Sequence, residues 1–286
     1  MDLVVNTTLS MEFWRQRYPL DRSPLLSCAV PSASSSLPSE VAYSLRDVNA
    51  LTPDWITNAM LDKYDGRMQV LAFDSRHRRA SANHAVRIWT SEIPPGSFYR
   101  LSGTLLIASP GFIFLVAASS LDKHALIAFG NELCGLYSFD ENALRGFRTR
   151  RVPLTTPEHL GSYLQNAVHC RGYNQAMAAL KHIIPNAASP MEPFCAMKLY
   201  LPPRLGGYTF SKPIMNHEVP LSRRARIIAR QSKCYADICY PGHRLALEYL
   251  GEYDHADPAK MSQDRARECP QRDGLRGNRA YVSAGM

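Results

Sequence analysis

The residues with the most chemistry to offer lie between 234 and 267, in the run CYADICYPGHRLALEYLGEYDHADPAKMSQDRAR. Two strand-like pieces, 235–240 and 245–250, flank a Pro241-Gly242 turn and read as a β-hairpin. Acids are poor strand residues, yet each piece carries one at its middle, Asp237 and Glu248. Across a tight hairpin these positions are paired or near-diagonal neighbours and can share a face. Two carboxylates so placed repel each other unless a cation sits between them. A hard divalent ion such as Mg²⁺ takes carboxylate oxygens and keeps several waters for chemistry. Held there, it polarises a phosphoryl oxygen or generates the hydroxide that attacks it.

Such a pair has to be positioned by the elements before it. Ser189-Pro190-Met191-Glu192 has the form of a helix start: a hydroxyl cap, Pro in the first turn and an acid behind it. The helix runs to Tyr200, ahead of Leu201-Pro202-Pro203. Glu192 then has two readings, a functional carboxylate aimed at the hairpin or an acid answering the helix dipole. A loop with Gly206-Gly207 leads to an alternating stretch at 213–219. A basic segment follows, with Arg223, Arg224, Arg226, Arg230 and Lys233.

Residues 188–267 resemble the PD-(D/E)XK nuclease superfamily, and more narrowly its very-short-patch-repair-endonuclease-like (DUF559-like) group. That pattern is a helix with a Glu, a hairpin with Asp on the first strand and Glu on the second, a His, then a helix opening with Asp and Arg. Here the matching residues are Glu192, Asp237, Glu248, His255, Asp264, Arg265 and Arg267. The resemblance implies that Asp237 and Glu248 bind Mg²⁺, that Glu192 assists from its helix, and that His255 activates water or steadies the leaving phosphate. It implies DNA as the substrate, with Arg265 and Arg267 on its backbone, and the basic run adds Arg223, Arg224 and Arg226 as nucleic-acid contacts. The chain departs from the pattern at Leu250, where the wider superfamily has Lys, and in the tail ECPQRDGLRGNRAYVSAGM, where Pro270 and Gly274 break any helix. Only 280–284 looks like the strand that follows in relatives. The upstream run IPPGSFYRLSG…ASPGFIFLVAAS…ELCGLY is similar to the C-terminal half of AbiEi-like antitoxins. The rival expectation is therefore a regulator without chemistry, binding nucleic acid or a protein partner in a defence or toxin–antitoxin system.

The remaining 1–185 frames this region. The chain has 286 residues, 45% of them hydrophobic, a net charge of +8 and a pI near 9.2. This excludes global disorder and favours an anionic partner. Lys and Arg number 14 against 9 acids from 204 onward, so much of the surplus surrounds the acidic centre. The 7 cysteines include no CxxC pair, which predicts reduced thiols without disulfide partners in a cytoplasmic protein. The N-terminus lacks the features of a signal peptide. Residues 101–121 carry no charge over nearly a membrane-spanning length, but Ser109-Pro110-Gly111 divides them. A buried strand, a turn and a buried helix are expected there rather than a membrane span.

The expected class is α/β: an N-terminal segment and Ser/Pro linker over 1–36, an α+β AbiEi-like region over 37–185, and a restriction-endonuclease-like mixed-sheet domain over 186–286. Within the middle region, 37–64 reads as two short helices, as in a helix-turn-helix or an ordinary packed pair. Strands are expected around 68–74, 85–91 and 103–109, and helices near 112–120, 122–133, 159–166 and 173–184. Arg145, Arg148, Arg150 and Arg151 are either phosphate contacts or a solvated loop.

Overall fold

A computed structural model describes residues 3–16, 68–73, 84–102, 105–149, 152–229, 232–250 and 282–283. The fold is a mixture of helices and small sheets, both parallel and antiparallel. At its centre is the apolar run singled out above. Strand β5 (Leu105–Ala108) leads through Ser109 into helix α2 (Pro110–Ala117). The Ser109 hydroxyl accepts the Phe112 amide at 3.2 Å, and Pro110 occupies the first turn, where its missing N–H costs nothing. Phe112, Ile113, Phe114, Leu115 and Val116 are all buried, so α2 is wrapped by protein on every side, as an apolar helix without an amphipathic face must be. Among the described residues no helix is long and apolar enough to cross a membrane.

Around α2 lie α3 (Lys123–Leu133), α4 (Pro157–Gln165) and α5 (Tyr173–Leu180). Asp122 caps α3 by accepting the Ala125 amide, and Thr156 caps α4 through the His159 amide, as its sequence predicts. Helix α5 stops at Leu180, short of the expected 184. A hairpin of β6 (Ser138–Phe139) and β7 (Phe147–Arg148) follows α3. There Arg148 is ion-paired to Asp140, so that part of the Arg cluster is engaged on the protein's own acid; Arg150 and Arg151 lie outside the described residues.

The described start of the chain packs against strands far along the sequence. Strand β1 (Leu3–Val4) pairs in parallel with β5, which also pairs antiparallel with β4 (Phe98–Ser102), a strand the sequence does not announce. Val5 bridges to Val70 of β2 (Met68–Ala72), itself parallel to β3 (His84–Ile88). Helix α1 (Thr7–Gln16) buries Leu9, Met11, Phe13 and Trp14 in the same hydrophobic cluster as α2 and α3. Trp14 donates its indole N–H to the Ala108 carbonyl at 2.9 Å, and Arg15 grips the buried Glu132 through Nε and Nη2 at 2.8 and 2.9 Å. The described start of the chain is thus part of the core assigned to 37–185. The same cluster reaches Met215, Ile238, Tyr240 and Leu247. The linker and the helix pair at 37–64 lie outside the described residues.

The C-terminal part opens with α6 (Met191–Tyr200), followed by a short 3-10 turn, Pro203–Leu205. Next come β8 (Ile214–Pro220), α7 (Arg223–Ala229), β9 (Lys233–Tyr240) and β10 (Leu245–Leu247), in an antiparallel sheet of order β10-β9-β8. A further pair, β11 (Tyr249–Leu250) and β12 (Val282–Ser283), runs parallel.

Candidate carboxylate site

The β9 strand alternates over its first part: Cys234, Ala236 and Ile238 are buried, whereas Lys233 and Tyr235 are exposed and Asp237 is half-buried. From Ile238 to Tyr240 it is buried on both faces. Its pairing to β10 runs Leu245↔Tyr240, Ala246↔Cys239, Leu247↔Ile238, and one step further would set Glu248 opposite Asp237 if the pairing continued. The ladder ends at that step. Instead, the Asp237 side chain takes over as acceptor: its Oδ2 receives the backbone N–H of Tyr249 at 2.9 Å. The expected strand 245–250 is therefore divided at Glu248 into β10 and β11. On the other side, the register places Asn216 of β8 beside Asp237, and Asn216 has φ 48°. Left-handed backbone at a non-glycine residue within a strand is uncommon, and Asn tolerates it better than most. The regular ladder is thus interrupted on both flanks of Asp237.

Glu248 is half-buried and its Oε1 is buried. Its charge raises the Cys239 thiol pKa after burial, the larger cause. Cys239 is two residues from Asp237 on β9, which agrees with Glu248, Asp237 and Cys239 sharing one face.

Glu192 enters from α6. The expected Ser189 cap is not made, because Pro190 occupies the position before the helix with helical backbone and no capping side chain. Glu192 reaches back instead, and its Oε2 accepts the Ala188 amide at 2.7 Å. At 5% exposure the carboxyl is nearly desolvated. Burial, and after it the charge of Asp237, push its pKa up to about 8 against the pull of the Ala188 hydrogen bond. The Cys195 thiol, one turn further along α6, is also pushed up, first by burial and then by Glu192 and Asp237. Glu192, Cys195 and Asp237 therefore form one electrostatic neighbourhood, and Glu248 adjoins it in sequence, next to the Tyr249 amide that Asp237 accepts.

These donors fit a hard divalent cation in its two-carboxylate form. Asp237 and Glu248 would supply carboxylate oxygens, the hard donors such an ion takes. Glu192 fits that role less well, since its carboxyl is driven toward the neutral form and is bonded to backbone. Among the described residues no group of three or more His, Cys, Asp or Glu side chains is placed to hold a metal ion.

The basic residues divide. Arg223 and Arg224 are exposed on α7; Arg226 is also exposed, but its Nε donates to the Leu221 carbonyl at 3.0 Å. Lys233 is held by Glu218 at 2.8 Å, and Tyr235 donates its hydroxyl to the same oxygen. His255, Asp264, Arg265 and Arg267 lie outside the described residues, as do Cys28 and Cys269. Among the described cysteines, Cys170, Cys195 and Cys239 are free thiols. Sequence reasoning missed the Tyr249 amide and Cys195 as parts of this site. Neither carries a local signal, because one is a backbone group and the other joins the site only through helix packing. No protein-family model, curated protein or solved structure matches the chain.

Proposed function

We propose that the C-terminal part of this chain is a metal-dependent nuclease of the restriction-endonuclease-like type, cutting DNA phosphodiester bonds. The observation that carries the reading is the Asp237 carboxylate accepting the backbone N–H of Tyr249, the residue next to Glu248, with Glu192 from the preceding helix under the influence of Asp237's charge. The order α6 with Glu192, β8, α7, β9 with Asp237, β10 ending just before Glu248, then β11 with its parallel partner β12 at Val282–Ser283, supports it. Asp237 and Glu248 would hold Mg²⁺, which supplies Lewis acidity at a phosphoryl oxygen and an activated water. The chain's own residues do the rest. The Tyr249 amide orients Asp237, Glu192 keeps a proton beside it near neutral pH, and Arg223 and Arg224 present positive charge to phosphates. His255, Arg265 and Arg267 keep the roles the resemblance implies. The test is nicking of supercoiled plasmid with Mg²⁺ or Mn²⁺. Activity abolished by chelator, restored by added metal and lost in Glu248→Gln supports the reading. Wild type and variant behaving alike contradicts it.

A second reading is favoured by the hydrogen bonds that Asp237 and Glu192 make to backbone amides, since a purely structural pair of acids would make the same bonds. In that case the chain is a regulator of AbiEi-like type or a catalytically silent nuclease fold that binds nucleic acid or a protein partner. Its signature is DNA binding that weakens steeply with salt, ignores chelator, and falls when Arg223, Arg224 and Arg226 are neutralised.

A further inference from the structure

At the far end of α6 from Glu192, four stretches distant in sequence bring cationic side chains to one place. The Tyr200 hydroxyl donates to the His182 carbonyl, tying the end of α6 to the segment after α5. The loop after the 3-10 turn folds back over the same end: Thr209 donates to Leu201 at 3.0 Å and Phe210 to Leu199 at 3.0 Å. This return carries Lys212 to Lys181, whose carbonyl accepts from Lys212 Nζ at 3.4 Å. The start of α3 closes the group, with the His124 ring Nε2 at 2.9 Å from the Leu205 carbonyl. Lys123, Lys181, Arg204 and Lys212 thus surround His182, and the last three are exposed. Their combined field is visible on the imidazole. His182 is pushed down first by its burial, then by Lys123, Lys212, Arg204 and Lys181.

Two acids adjoin the group. Asp122 is occupied in capping α3, and the exposed Glu158 lies within electrostatic reach of Lys212. The balance stays positive. Cations of one sign gathered from four elements repel one another and cost stability unless an anion meets them. They are spread over several side chains instead of converging on one point, which suits a row of phosphates better than a single small anion. The separation also fits. From Glu192 to Tyr200 along α6 is about 12 Å at 1.5 Å per residue. That is roughly three to four nucleotides along one strand of a duplex at 3.4 Å each.

We propose that Lys123, Lys181, Arg204 and Lys212 around His182 form a nucleic-acid backbone site that holds the strand a few nucleotides from the carboxylates. The proposal rests on the reading that this chain acts on DNA, but it concerns binding and not cleavage. It is tested on the full chain in chelator, by fluorescence anisotropy with a labelled duplex, comparing wild type with Lys123→Gln/Lys181→Gln/Arg204→Gln/Lys212→Gln. Near 50 mM salt the quadruple variant is expected to bind about tenfold or more weakly, and the slope of log affinity against log salt to shrink by about 2 to 4. Unchanged affinity and slope overturn the proposal, as does a wild-type chain that binds no DNA at low salt. Hydrogen exchange on the wild type is a second readout that needs no variant: DNA is expected to protect 123–125, 181–182, 204–205 and 212, and protection elsewhere alone overturns it. Vesicles containing phosphatidylserine form a further arm. Loss of vesicle binding with DNA binding intact would make the patch a membrane contact and overturn it. A Glu248→Gln chain that binds like wild type but does not cut leaves the two readings separate. The nuclease reading alone fails if wild type binds through this patch and never cuts.

Discussion

At the residue scale, Asp237 has two separable duties, holding the Tyr249 amide and presenting a negative carboxylate. Asn can keep the first without the second, because its side-chain carbonyl accepts the same N–H. Asp237→Asn is therefore expected to melt close to wild type. Asp237→Ala, which leaves the amide without this acceptor, is expected to lose about 1–3 kcal/mol of stability in a urea titration. Equal losses in both would show that the Tyr249 contact is not what holds the strand. Glu192 gives a pH signature. Its folded-state pKa, about 8, stands above the ordinary 4.5, so its contribution to stability is complete below about 4.5 and is lost as the pH rises through about 8. Urea midpoints for wild type and Glu192→Gln should diverge over that window. The wild type is expected to lose on the order of 2–4 kcal/mol more than the variant between its ends. Parallel pH profiles would mean that burial and Asp237 do not act on Glu192 as described.

At the element scale, α1 is fastened to α3 by Arg15 and Glu132, a pair in which Glu132 is 1% exposed. Removing one member strands the other's charge, so Arg15→Ala is expected to cost about 2–4 kcal/mol by thermal or urea unfolding. A cost below 1 kcal/mol would mean that α1 is held by its apolar face alone. Gly172 is a second fixed point. It begins α5 at φ 91°, and a Cβ there would sit 2.7 Å from the Leu115 carbonyl, so Gly172→Ala is expected to destabilise by about 2 kcal/mol, read from the same unfolding curves. Much of this scale was legible in the sequence. Helices near α2, α3 and α4 were expected, and Thr156-Pro157 marked the start of α4 because capping chemistry is local, whereas the caps at Ser109 and Asp122 were not read. The hairpin was legible too, because Pro241-Gly242 marks where the chain turns, but its register was not. What escaped was the long-range pairing of β1 with β5, along with β4 and the Ser189 cap. A two-residue strand such as β1 has no periodicity to read. The local cap signal at Ser189 gave way to Glu192 reaching back to Ala188, in a place where the acid is already buried by α6 packing.

At the scale of the whole molecule, the net charge of +8 acquires locations. Part of it lies on α7, and part surrounds His182, where residues spanning 123 to 212 meet only after the chain has folded. No sequence window shows that gathering, whereas the Arg223–Arg226 run was plain. The candidate site shows the same limit. Asp237 and Glu248 were legible as acids on the two arms of a hairpin, but the coupling of Glu192 to Asp237 depends on how α6 packs against the sheet. The central claim is that these two carboxylates cut phosphodiester bonds with a divalent ion. It is tested most directly by incubating end-labelled duplex DNA with Mg²⁺ and either the wild-type chain or Asp237→Asn. The account predicts discrete metal-dependent cleavage by wild type and none by a variant that is equally folded and equally able to bind DNA. Cleavage by the folded variant at the wild-type rate, or no cleavage by wild type under conditions where it binds DNA, would contradict it.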